Sequence, residues 1–413
     1  MHWKIDHCRI CGNSNLVPVV DLGEQTLTGV FPRSREQKVS RGPLRLVKCQ
    51  GGTDCCGLLQ LEHSYDHNEM YGANYGYRSG INSSMVRHLH GKVEKILQIA
   101  DLRSGDLVVD IGSNDGTTLG AFPKSFLLVG IDPTGNKFRE YYRADIHLVS
   151  DFFSADLVKR AYPGRRAKLV TSFSMFYDLE QPLNFMREVA QVLDDDGIWV
   201  FEQSYMPAML ERNAYDTICH EHLEYYGLQQ VGWLVERAGL KILDVEFNDV
   251  NGGSFSITAA NRASARSVAT RRIAEALERE HAAGLCGTAP YVSFASRVEQ
   301  SREALRSFLR QARSERKSVF AIGASTKGNV VLQYCGITED EIAGVGEVNP
   351  DKFGSFTPGT LLPIYPEDEV LARRPDYLLV LPWHFREFFV CNTKFRGFRL
   401  VFPLPTLDQV MVP

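Results

Sequence analysis

Residues 106–122, DLVVDIGSNDGTTLGAF, place an apolar run before a turn with two glycines and the start of a helix. The apolar run is typical of a buried strand, and glycines in such a turn let the backbone approach a ligand at the helix N-terminus. About twenty residues later, FLLVGIDPT repeats an apolar strand and ends near Asp132, where an acid can accept hydrogen bonds from ribose hydroxyls. Together the two strands predict a nucleotide-type pocket.

The turn also discriminates between two cofactors. A dinucleotide site has the pattern G-x-G-x-x-G because a diphosphate lies against the helix N-terminus, whereas this turn carries Asp110 and Asp115. Two acids would repel a diphosphate, but they suit a ligand with a cationic amino group and a sulfonium. We therefore predict S-adenosylmethionine as the cofactor. The expected contacts are Asp110 and Gly112 to the methionine moiety, Asp132 to the ribose, Asp151 and Phe152 to the adenine, and Asn114 and Ser174 as further contacts.

The middle of the chain alternates strands with helices. AKLVTSFSMFYDL (residues 167–179) and GIWVFEQSY (197–205) are typical of further strands, and NSSMVRHLHGKVEKILQIADL (82–102) has apolar residues at helical spacing. Asn82 or Ser83 would cap that helix. The alternation predicts an α/β fold with a doubly wound parallel sheet, whose ligand lies at the carboxyl ends of the strands.

Cysteines are concentrated at the N-terminus, where five of the nine lie within the first 56 residues. CRICG (residues 8–12) is a Cys-x-x-Cys knuckle and CQGGTDCCGLLQL (49–61) offers a second pair, a combination that suits tetrahedral zinc. The predicted ligands are Cys8, Cys11, Cys49 and Cys56. Cys56 is preferred to Cys55 because it precedes a glycine, as in the first knuckle. Four protein ligands close the site, so the predicted zinc is structural.

The composition limits the classes of partner. The chain has 413 residues, 44% of them hydrophobic, and its length predicts two or three domains. A net charge of −4 offers no basic surface for nucleic acid, and the longest apolar runs are too short to span a membrane. The first residues lack the pattern of a secretory signal, so we expect a cytoplasmic protein, as a monomer or a small homo-oligomer.

A second concentrated motif is YDTICHEHLEYYGL, residues 215–228, with two histidines, a cysteine and three acids. His220 and His222 are two residues apart, so they cannot share one metal ion in the way that His-x-x-x-His does. Histidine is instead suited to proton transfer near neutral pH. If the segment is helical, Tyr225 lies on the same face as His222 and can line a pocket. We interpret the segment as a proton-transfer site.

The C-terminal third contains another strand, glycine turn and helix, SVFAIGASTKGNVVLQY (residues 318–334). Lys327 lies beside the turn, where a diphosphate would bind, and NPDKFGSFTPGT (349–360) is a loop that could close over it. A purely structural α/β domain is the alternative. Residues 262–316 are rich in Arg, Glu and Ala at helical spacing and predict solvated helices that link the strands.

In their order along the chain, these motifs resemble those of the sugar C-methyltransferases that build branched-chain deoxysugars on nucleotide carriers. The resemblance covers nearly the full length and also includes YGANYGYRSGIN, NGGSFSI and PDYLLVLPWHF. It implies a zinc-binding domain at residues 1–68, a Rossmann-like S-adenosylmethionine domain at 69–250, and a Rossmann-like substrate-binding domain at 251–413. The sugar nucleotide would lie between the last two domains.

The resemblance also implies roles for individual residues. The functional histidine of the family corresponds to His222, the expected general base, with Glu221 orienting it or binding substrate. Cys219 stands where the antibiotic-sugar branch has a tyrosine, and Tyr177 stands near a substrate-facing histidine of that branch. Tyr75 and Tyr77 are candidates to cover the substrate or to donate to its keto oxygen. The other expected substrate contacts are Tyr225, Lys327, Asn329, Asn349 and Lys352.

The expected reaction is methylation at C3 of a 4-keto-deoxysugar linked to a dTDP or GDP carrier. The C3 proton lies next to a carbonyl, so a base with a pKa of about 7 and a donor to the enolate oxygen can make this carbon a nucleophile. One alternative is a sugar O-methyltransferase, which needs no adjacent ketone. The other is a non-catalytic scaffold that retains the zinc and S-adenosylmethionine folds.

Overall fold

The computed structural model describes residues 2–52, 54–70 and 77–413. The N-terminal part consists of short strands and one helical turn. Its elements are β1 (His2–Lys4), β2 (Leu16–Thr26), β3 (Arg41–Cys49), β4 (Leu59–Leu61), β5 (His63–Tyr65) and α1 (His67–Met70). β1 pairs with β5, while β2, β3 and β4 form a separate antiparallel sheet. The first cysteine knuckle precedes β2 and Cys49 ends β3, so the sheet brings distant cysteines together.

The central part is a seven-stranded sheet with helices on both faces. The elements of this part of the chain are α2 (Ser83–Ile99), β6 (Leu107–Ile111), α3 (Thr117–Gly120), β7 (Leu127–Ile131), α4 (Gly135–Phe138), β8 (Ile146–Val149), α5 (Ala155–Ala161), β9 (Ala167–Phe173), α6 (Pro182–Val192), β10 (Leu193–Ser204), α7 (Met206–Glu211), β11 (Glu224–Tyr225), α8 (Leu228–Arg237), β12 (Leu240–Asn248) and β13 (Ser254–Asn261). The strand order is β12-β13-β10-β9-β6-β7-β8, and only the pairs that include β13 are antiparallel. The predicted doubly wound α/β fold is confirmed.

Burial fits the position of β6 inside this sheet, between β9 and β7. Every residue of β6 is buried, as expected for a parallel strand that helices cover on both faces. Ile96 of α2 packs with Val108 in one core, while Val109 faces the core on the other side. The side chain of Asn82 accepts a hydrogen bond from the backbone N–H of Ser84, which confirms Asn82 as the cap of α2.

The C-terminal part is a second open sheet preceded by two helices. Its elements are α9 (Thr270–Ala282), α10 (Ala289–Ser314), β14 (Val319–Ile322), α11 (Thr326–Tyr334), β15 (Val345–Glu347), β16 (Ile364–Pro366), α12 (Glu367–Ala372), β17 (Tyr377–Val380), α13 (Arg386–Cys391), β18 (Arg399–Phe402) and β19 (Asp408–Met411). The strand order is β16-β15-β14-β17-β18-β19, and all pairs except the last are parallel. The chain therefore changes direction across the sheet between β14 and β17, as it does between β6 and β9. Open α/β sheets bind ligands at such switch points.

The helices α9 and α10 occupy the arginine-rich stretch for which linking helices are predicted. α10 has 26 residues and buries Phe294, Val298 and Leu305 in the C-terminal core, while its charged residues lie toward solvent. Within the described parts of the chain, no helix combines the length and apolar character that crossing a lipid bilayer requires.

Several contacts cross the predicted domain boundaries. β11 pairs with β4, so residues from the middle of the chain complete the N-terminal sheet. β13 begins after residue 250 and yet pairs with β10 and β12, so the predicted boundary precedes the last strand of the central sheet. The amide of Gln333 in α11 accepts a hydrogen bond from the backbone N–H of Thr26 and donates one to its carbonyl. The N-terminal sheet thus contacts both other parts of the molecule.

Candidate active site

The four predicted zinc ligands converge at one end of the N-terminal sheet. The Sγ atoms of Cys8, Cys11, Cys49 and Cys56 all lie within 4.8 Å of one another. Zinc with Zn–S bonds of about 2.3 Å in a tetrahedral site separates its sulfurs by about 3.8 Å, so this group fits the metal. Cys55 Sγ lies 3.5 Å from Cys49 Sγ but outside the group of four. A zinc ion held by these thiolates would have no open coordination position.

The predicted cofactor turn follows β6, and Asp132 follows the neighbouring β7. Asp132 Oδ2 accepts a hydrogen bond from the backbone N–H of Asn114 at 2.8 Å, and Oδ1 accepts one from the backbone N–H of Thr134 at 2.7 Å. Asp132 therefore ties the two strand ends together. The hydroxyl of Thr134 also donates to Oδ1 at 2.5 Å. A carboxylate has about four acceptor positions, so one position of Asp132 remains for a ribose hydroxyl.

Close packing shapes the backbone of this turn. Gly112 has a φ of +70°, and a Cβ added there would lie 2.9 Å from Cγ of Met175. On the other side, the hydroxyl of Tyr142 donates a hydrogen bond to the carbonyl of Asn114 and contacts Ser113 Oγ, both at 2.8 Å. Tyr142 lies outside the glycine motif, so the sequence gives no signal of this supporting role.

Asp110 adds an uncompensated negative charge to the same crevice. Its carboxylate is buried and accepts a hydrogen bond from Thr171 Oγ1 at 2.6 Å. Burial raises the pKa of Asp110 to about 7, and the charge of Asp132 acts in the same direction. A cationic ligand would favour the ionised carboxylate and be bound by it. The crevice therefore fits the amino group and sulfonium of S-adenosylmethionine.

The side chains of Asn114 and Asp115 are directed toward the protein. Asn114 Oδ1 accepts a hydrogen bond from the backbone N–H of Ser79, and Asp115 Oδ2 accepts one from the backbone N–H of Gly80, both at 2.9 Å. These bonds hold Ser79 and Gly80, near the end of the stretch YGANYGYRSGIN, against the cofactor turn. Asn114 thus contributes to the crevice through its backbone and through the segment that it anchors.

The remaining residues predicted near the cofactor lie at strand ends or at the surface. Ser174 follows β9 with a φ of 55°, beside the switch point. Asp151 and Phe152 follow β8, and Phe152 is 50% exposed. Tyr77 is 49% exposed in the segment that Asn114 anchors. Tyr75 lies outside the described residues.

The histidine-rich segment, residues 215–228, is not a helix. Its first three residues form a 3-10 turn, and β11 pairs with β4 further on. The backbone N–H of Leu223 donates to the carbonyl of Tyr177, and the N–H of Leu61 donates to the carbonyl of Leu223, both at 2.8 Å. The helical face predicted for Tyr225 is therefore wrong, because the segment is held by strand-like pairing to chain on either side.

His222 is fixed by a carbonyl oxygen, which can only accept hydrogen bonds. Its Nδ1 lies 2.9 Å from the carbonyl of Thr217, to which the Tyr225 hydroxyl also donates at 3.2 Å. Nδ1 must carry the proton in this bond, so Nε2 of the neutral ring keeps its lone pair. Burial, together with the charge of Lys327, lowers the pKa of His222 to about 3. At neutral pH His222 is thus a neutral base with its Nε2 available.

His220 has different surroundings. The ring is fully buried, packs edge-on against Tyr65 with 4.7 Å between the ring centroids, and places Nε2 3.4 Å from the carbonyl of Gly42. Burial lowers the pKa of His220 to about 4. His220 therefore belongs to the core of the N-terminal part, whereas His222 belongs to the candidate site.

Glu221 connects the histidine segment to the C-terminal sheet. A Cβ added to Gly29 would lie 2.3 Å from Glu221 Oε1 and 3.6 Å from Thr326 Oγ1, so the carboxylate lies beside the start of α11. Helix N-termini attract carboxylates. Cys219 is fully buried near Glu221, and burial raises the pKa of its thiol well above the usual value. Cys219 is therefore a neutral thiol and a weak hydrogen-bond donor.

Tyr177 lies directly against His222. The two rings meet edge-on with 4.4 Å between their centroids, and Tyr177 is largely buried. A small cavity adjoins them and is lined also by Thr217, Glu224 and Tyr225. A larger groove between α8 and α9 is apolar and contains none of the predicted site residues.

Lys327 lies in the first turn of α11, close to the histidine segment. Its Nζ donates to the carbonyl of Asn251 at 2.9 Å, in the turn between β12 and β13. Burial lowers the pKa of Lys327, and the nearby charge of Asp216 offsets part of this shift. The carboxylate of Asp216 in turn accepts a hydrogen bond from Trp383 Nε1 at 2.9 Å. Lys327 is partly buried, and in its charged form it lowers the pKa of His222.

His384 is a candidate residue that the sequence did not identify. It follows β17, directly after Trp383, and so lies across the switch point from α11. Burial, together with the charge of Lys327, lowers the pKa of His384 to about 3. Its Nδ1 is buried and has no hydrogen-bond partner within the described residues. The available signal was its position, because a titratable residue just after a strand at a switch point is placed to meet a ligand.

Three further predicted substrate contacts link parts of the protein to each other. Asn329 is fully buried, and its amide donates to the carbonyl of Thr28 at 2.8 Å. Asn349 accepts a hydrogen bond from a backbone N–H two residues further on and so caps a short turn. Lys352 donates to the carbonyl of Ala324 at 2.7 Å. These bonds shape the loops around α11.

Family models match most of the chain in three consecutive stretches. A zinc binding domain matches residues 8–71, a methyltransferase domain matches residues 85–245, and a C-methyltransferase C-terminal domain matches residues 249–405. The C-methyltransferase NovU from Streptomyces niveus is 30% identical over 408 residues, which is 97% of this chain and 96% of NovU.

Solved methyltransferase structures are also similar to part of the chain. An S-adenosylmethionine-dependent methyltransferase from Clostridium acetobutylicum ATCC 824 is 12% identical, with a TM-score of 0.33 over 43% of this chain and 92% of the other. The plantazolicin methyltransferase BpumL, solved in complex with SAH, is 12% identical, with a TM-score of 0.35 over 45% of this chain and 87% of the other. Both matches cover less than half of the present chain.

Proposed function

Because the chain belongs to the family of S-adenosylmethionine-dependent C-methyltransferases, we propose that it deprotonates and methylates C3 of a 4-keto-deoxysugar linked to a dTDP or GDP carrier. The observation that carries the proposal is the state of His222, whose Nδ1 is committed to the carbonyl of Thr217 and whose Nε2 keeps its lone pair. A carbon next to a carbonyl is a carbon acid from which such a base can take a proton.

In the proposed mechanism, His222 Nε2 removes the C3 proton of the sugar. The electron pair of the C3–H bond moves toward the keto oxygen as an enolate forms, and the carbonyl of Thr217 stabilises the imidazolium through Nδ1–H. When bound, S-adenosylmethionine supplies a methyl group on a cationic sulfur for transfer to C3. Asp110 and Asp132 hold that cofactor at the carboxyl end of the central sheet and so fix the orientation of the two reactants.

The low pKa of His222 is compatible with this role because the substrate changes it. Burial and the charge of Lys327 favour the neutral ring in the protein alone. A diphosphate carrier and a developing enolate both bring negative charge, which favours the protonated imidazolium and raises the pKa of His222. Proton abstraction is thereby favoured only when the substrate is in place.

Incubation with labelled S-adenosylmethionine and 4-keto-6-deoxy sugar nucleotides, on dTDP and on GDP, tests the proposal. We expect the label on C3 and, in deuterium oxide without cofactor, exchange of the C3 proton for deuterium. His222→Asn should slow that exchange by about 10²–10⁴-fold, the usual contribution of a general base. Its affinity for S-adenosylmethionine, measured by calorimetry, should be unchanged because the cofactor crevice is formed by other strands.

His220→Asn is the matched control, because it makes the same change two residues away on a ring that faces the N-terminal sheet. It should retain C3 exchange in the folded protein. Undiminished turnover of His222→Asn would refute the assignment of the base. Methylation of a sugar whose 4-keto group has been reduced would instead identify an O-methyltransferase, and failure to bind S-adenosylmethionine would indicate a scaffold.

A further inference from the structure

We propose that Lys327 is the catalytic cation that stabilises the enolate oxygen at C4 of the sugar, an inference that rests on the proposed function. Removal of the C3 proton by His222 places negative charge on the former keto oxygen. A buried, prepositioned donor at that oxygen lowers the barrier, because it meets the charge as it develops. The sequence leaves this role open, since Cys219 replaces the tyrosine of the antibiotic-sugar branch.

Other polar side chains of the candidate site are poorly placed for this role. Cys219 is a fully buried thiol with a raised pKa, beside the negative charge of Glu221. The Tyr225 hydroxyl already donates to the carbonyl of Thr217. Tyr77 is 49% exposed in a segment bound to the cofactor turn. An enolate oxygen near His222 therefore needs a different donor.

Lys327 has the required position. It follows β14 at the switch point of the C-terminal sheet, and its charge acts on both His222 and His384. The ammonium has three N–H groups, and the carbonyl of Asn251 accepts from Nζ at 2.9 Å, so further donors remain for a substrate oxygen. The bond to Asn251 fixes Nζ between the central sheet and the C-terminal sheet, where the sugar ring is proposed to lie.

Asp216 is close enough to Lys327 for its charge to act on the lysine. It is 1% exposed, and its negative charge favours the ammonium form of the lysine. Its Oδ2 accepts a hydrogen bond from Trp383 Nε1. Trp383 directly precedes His384 after β17, so this bond orients Asp216 toward the switch point of the C-terminal sheet. Burial lowers the pKa of Lys327, and the charge of Asp216 offsets part of that shift.

The start of α11 is less suited to a diphosphate than the sequence predicted. The carboxylate of Glu221 lies beside Thr326 at this helix N-terminus and would repel a second anion there. An enolate carries only a single, partial negative charge as it forms, less than a diphosphate. Lys327 alone would stabilise that charge. The two roles of Lys327, at the enolate or at the diphosphate, make opposite predictions for binding and for rate.

Lys327→Met tests the assignment in the intact protein. We expect C3 deuterium exchange and kcat to fall by about 10²–10³-fold, as when one oxyanion donor is removed. The Kd of the dTDP- or GDP-linked sugar and of the free nucleoside diphosphate should stay unchanged, as should the affinity for S-adenosylmethionine. Lys327→Arg, which keeps the positive charge, should recover part of the exchange rate.

Lys317→Met is the control. Lys317 lies just before β14, at the opposite end of that strand from Lys327, and it is exposed and pairs with Asp376. It should leave the rate of C3 exchange unchanged.

If Lys327→Met does not fold because Asp216 loses the neighbouring positive charge, the double variant Lys327→Met/Asp216→Asn removes both charged groups and carries the same expectation. A weaker Kd for the nucleoside diphosphate with a normal exchange rate at saturation would overturn the assignment. Absence of C3 exchange in the unmodified protein would overturn the proposed function itself.

Discussion

The central and C-terminal sheets share one arrangement of strands around a switch point, but different side chains follow the strands: two acids at the first crevice, a lysine and a neutral histidine at the second. Asp110 and Asp132 stand at the ends of β6 and β7, whereas Lys327 and His384 follow β14 and β17. Both crevices lie at the carboxyl ends of parallel strands, where such sheets bind ligands. The fold thus fixes where a ligand binds, and the residues after the strands decide whether a cation or an anion is favoured.

The helices that follow the two glycine turns differ in length and in capping. α11 has nine residues, and the Ser325 side chain caps it by accepting a hydrogen bond from the backbone N–H of Gly328 at 3.1 Å. α3 has four residues and no side-chain cap. A helix dipole needs several aligned peptides, so α11 adds a positive field to that of Lys327 while α3 contributes little against the carboxylates. The comparison predicts that each crevice can be disabled without the other.

The largest expected effect is that of Asp132→Ala on the cofactor crevice. Each hydrogen bond to a charged group contributes about 1.5–3 kcal/mol, so loss of the ribose contact should raise the Kd for S-adenosylmethionine by about 10–100-fold. Asp132 also holds the backbone N–H groups of Asn114 and Thr134, which adds to the loss. Calorimetry measures the affinity, and binding of the sugar nucleotide should be retained.

Asp156→Ala is the control for this change, since Asp156 is an exposed acid in the first turn of α5. It should leave the affinity for S-adenosylmethionine unaltered. Equal weakening of cofactor and sugar-nucleotide binding by Asp132→Ala would contradict the independence of the two crevices.

Much of the cofactor crevice was predictable because its signals are local. The turn from Gly112 to Gly116 and the acid at Asp132 lie within one strand–turn–helix unit and the strand that follows it. The zinc cluster was also predictable, since Cys8 and Cys11 are a knuckle whose partners can only be the few cysteines nearby. In both cases, a short local motif indicates the site.

The substrate crevice was less predictable because distant contacts determine it. The histidine segment was expected to be able to form a helix, but pairing between β11 and β4, more than 160 residues away in sequence, makes it extended. Asn329 was expected to face substrate, yet it donates to Thr28 in the N-terminal part. Lys327 was assigned to a diphosphate because only its own turn was visible. No local pattern encodes these tertiary contacts, so the sequence identified the residues better than their directions.

A second prediction compares the two glycine turns directly. Gly112→Ala and Gly323→Ala both place a side chain at a positive φ, +70° and +85° respectively. The new Cβ would lie 2.9 Å from the flexible Met175 in the first case and 2.7 Å from the rigid ring of Pro382 in the second. We expect each to lower the free energy of unfolding by about 1–3 kcal/mol, with the larger cost for Gly323→Ala because Pro382 cannot rotate away.

Urea denaturation measures both variants, with Gly164→Ala as the matched control. Gly164 has a φ of +74° but nothing within 4 Å of an added Cβ, so it isolates the backbone strain of about 1 kcal/mol from steric overlap. Gly112→Ala should also weaken S-adenosylmethionine binding, whereas Gly323→Ala should not. A loss of cofactor affinity in Gly323→Ala alone would reverse the roles assigned to the two turns.

The smallest expected effect is a difference in how the two crevices titrate. Burial raises the pKa of Asp110 to about 7, above its unfolded value of about 3.9. Between these pH values the folded state keeps a proton that the unfolded state loses. The free energy of unfolding contributed by Asp110 therefore falls as the pH rises over this interval. Burial lowers the pKa of His384 to about 3, below its unfolded value of about 6.5, so this histidine makes stability rise with pH over that interval. The two groups therefore oppose each other between about pH 4 and 6.5.

Variants without the titratable group separate these contributions. Asp110→Asn should make the rise of the free energy of unfolding with pH steeper, and His384→Asn should make it shallower, each by at most about 1.4 kcal/mol per pH unit. His220 and His222 titrate in the same direction as His384 and are common to both variants, so the difference between the two slopes isolates the pair under test. Urea denaturation across this interval measures the slopes. Parallel slopes in the two variants would show that the crevices do not differ in the charge that folding buries.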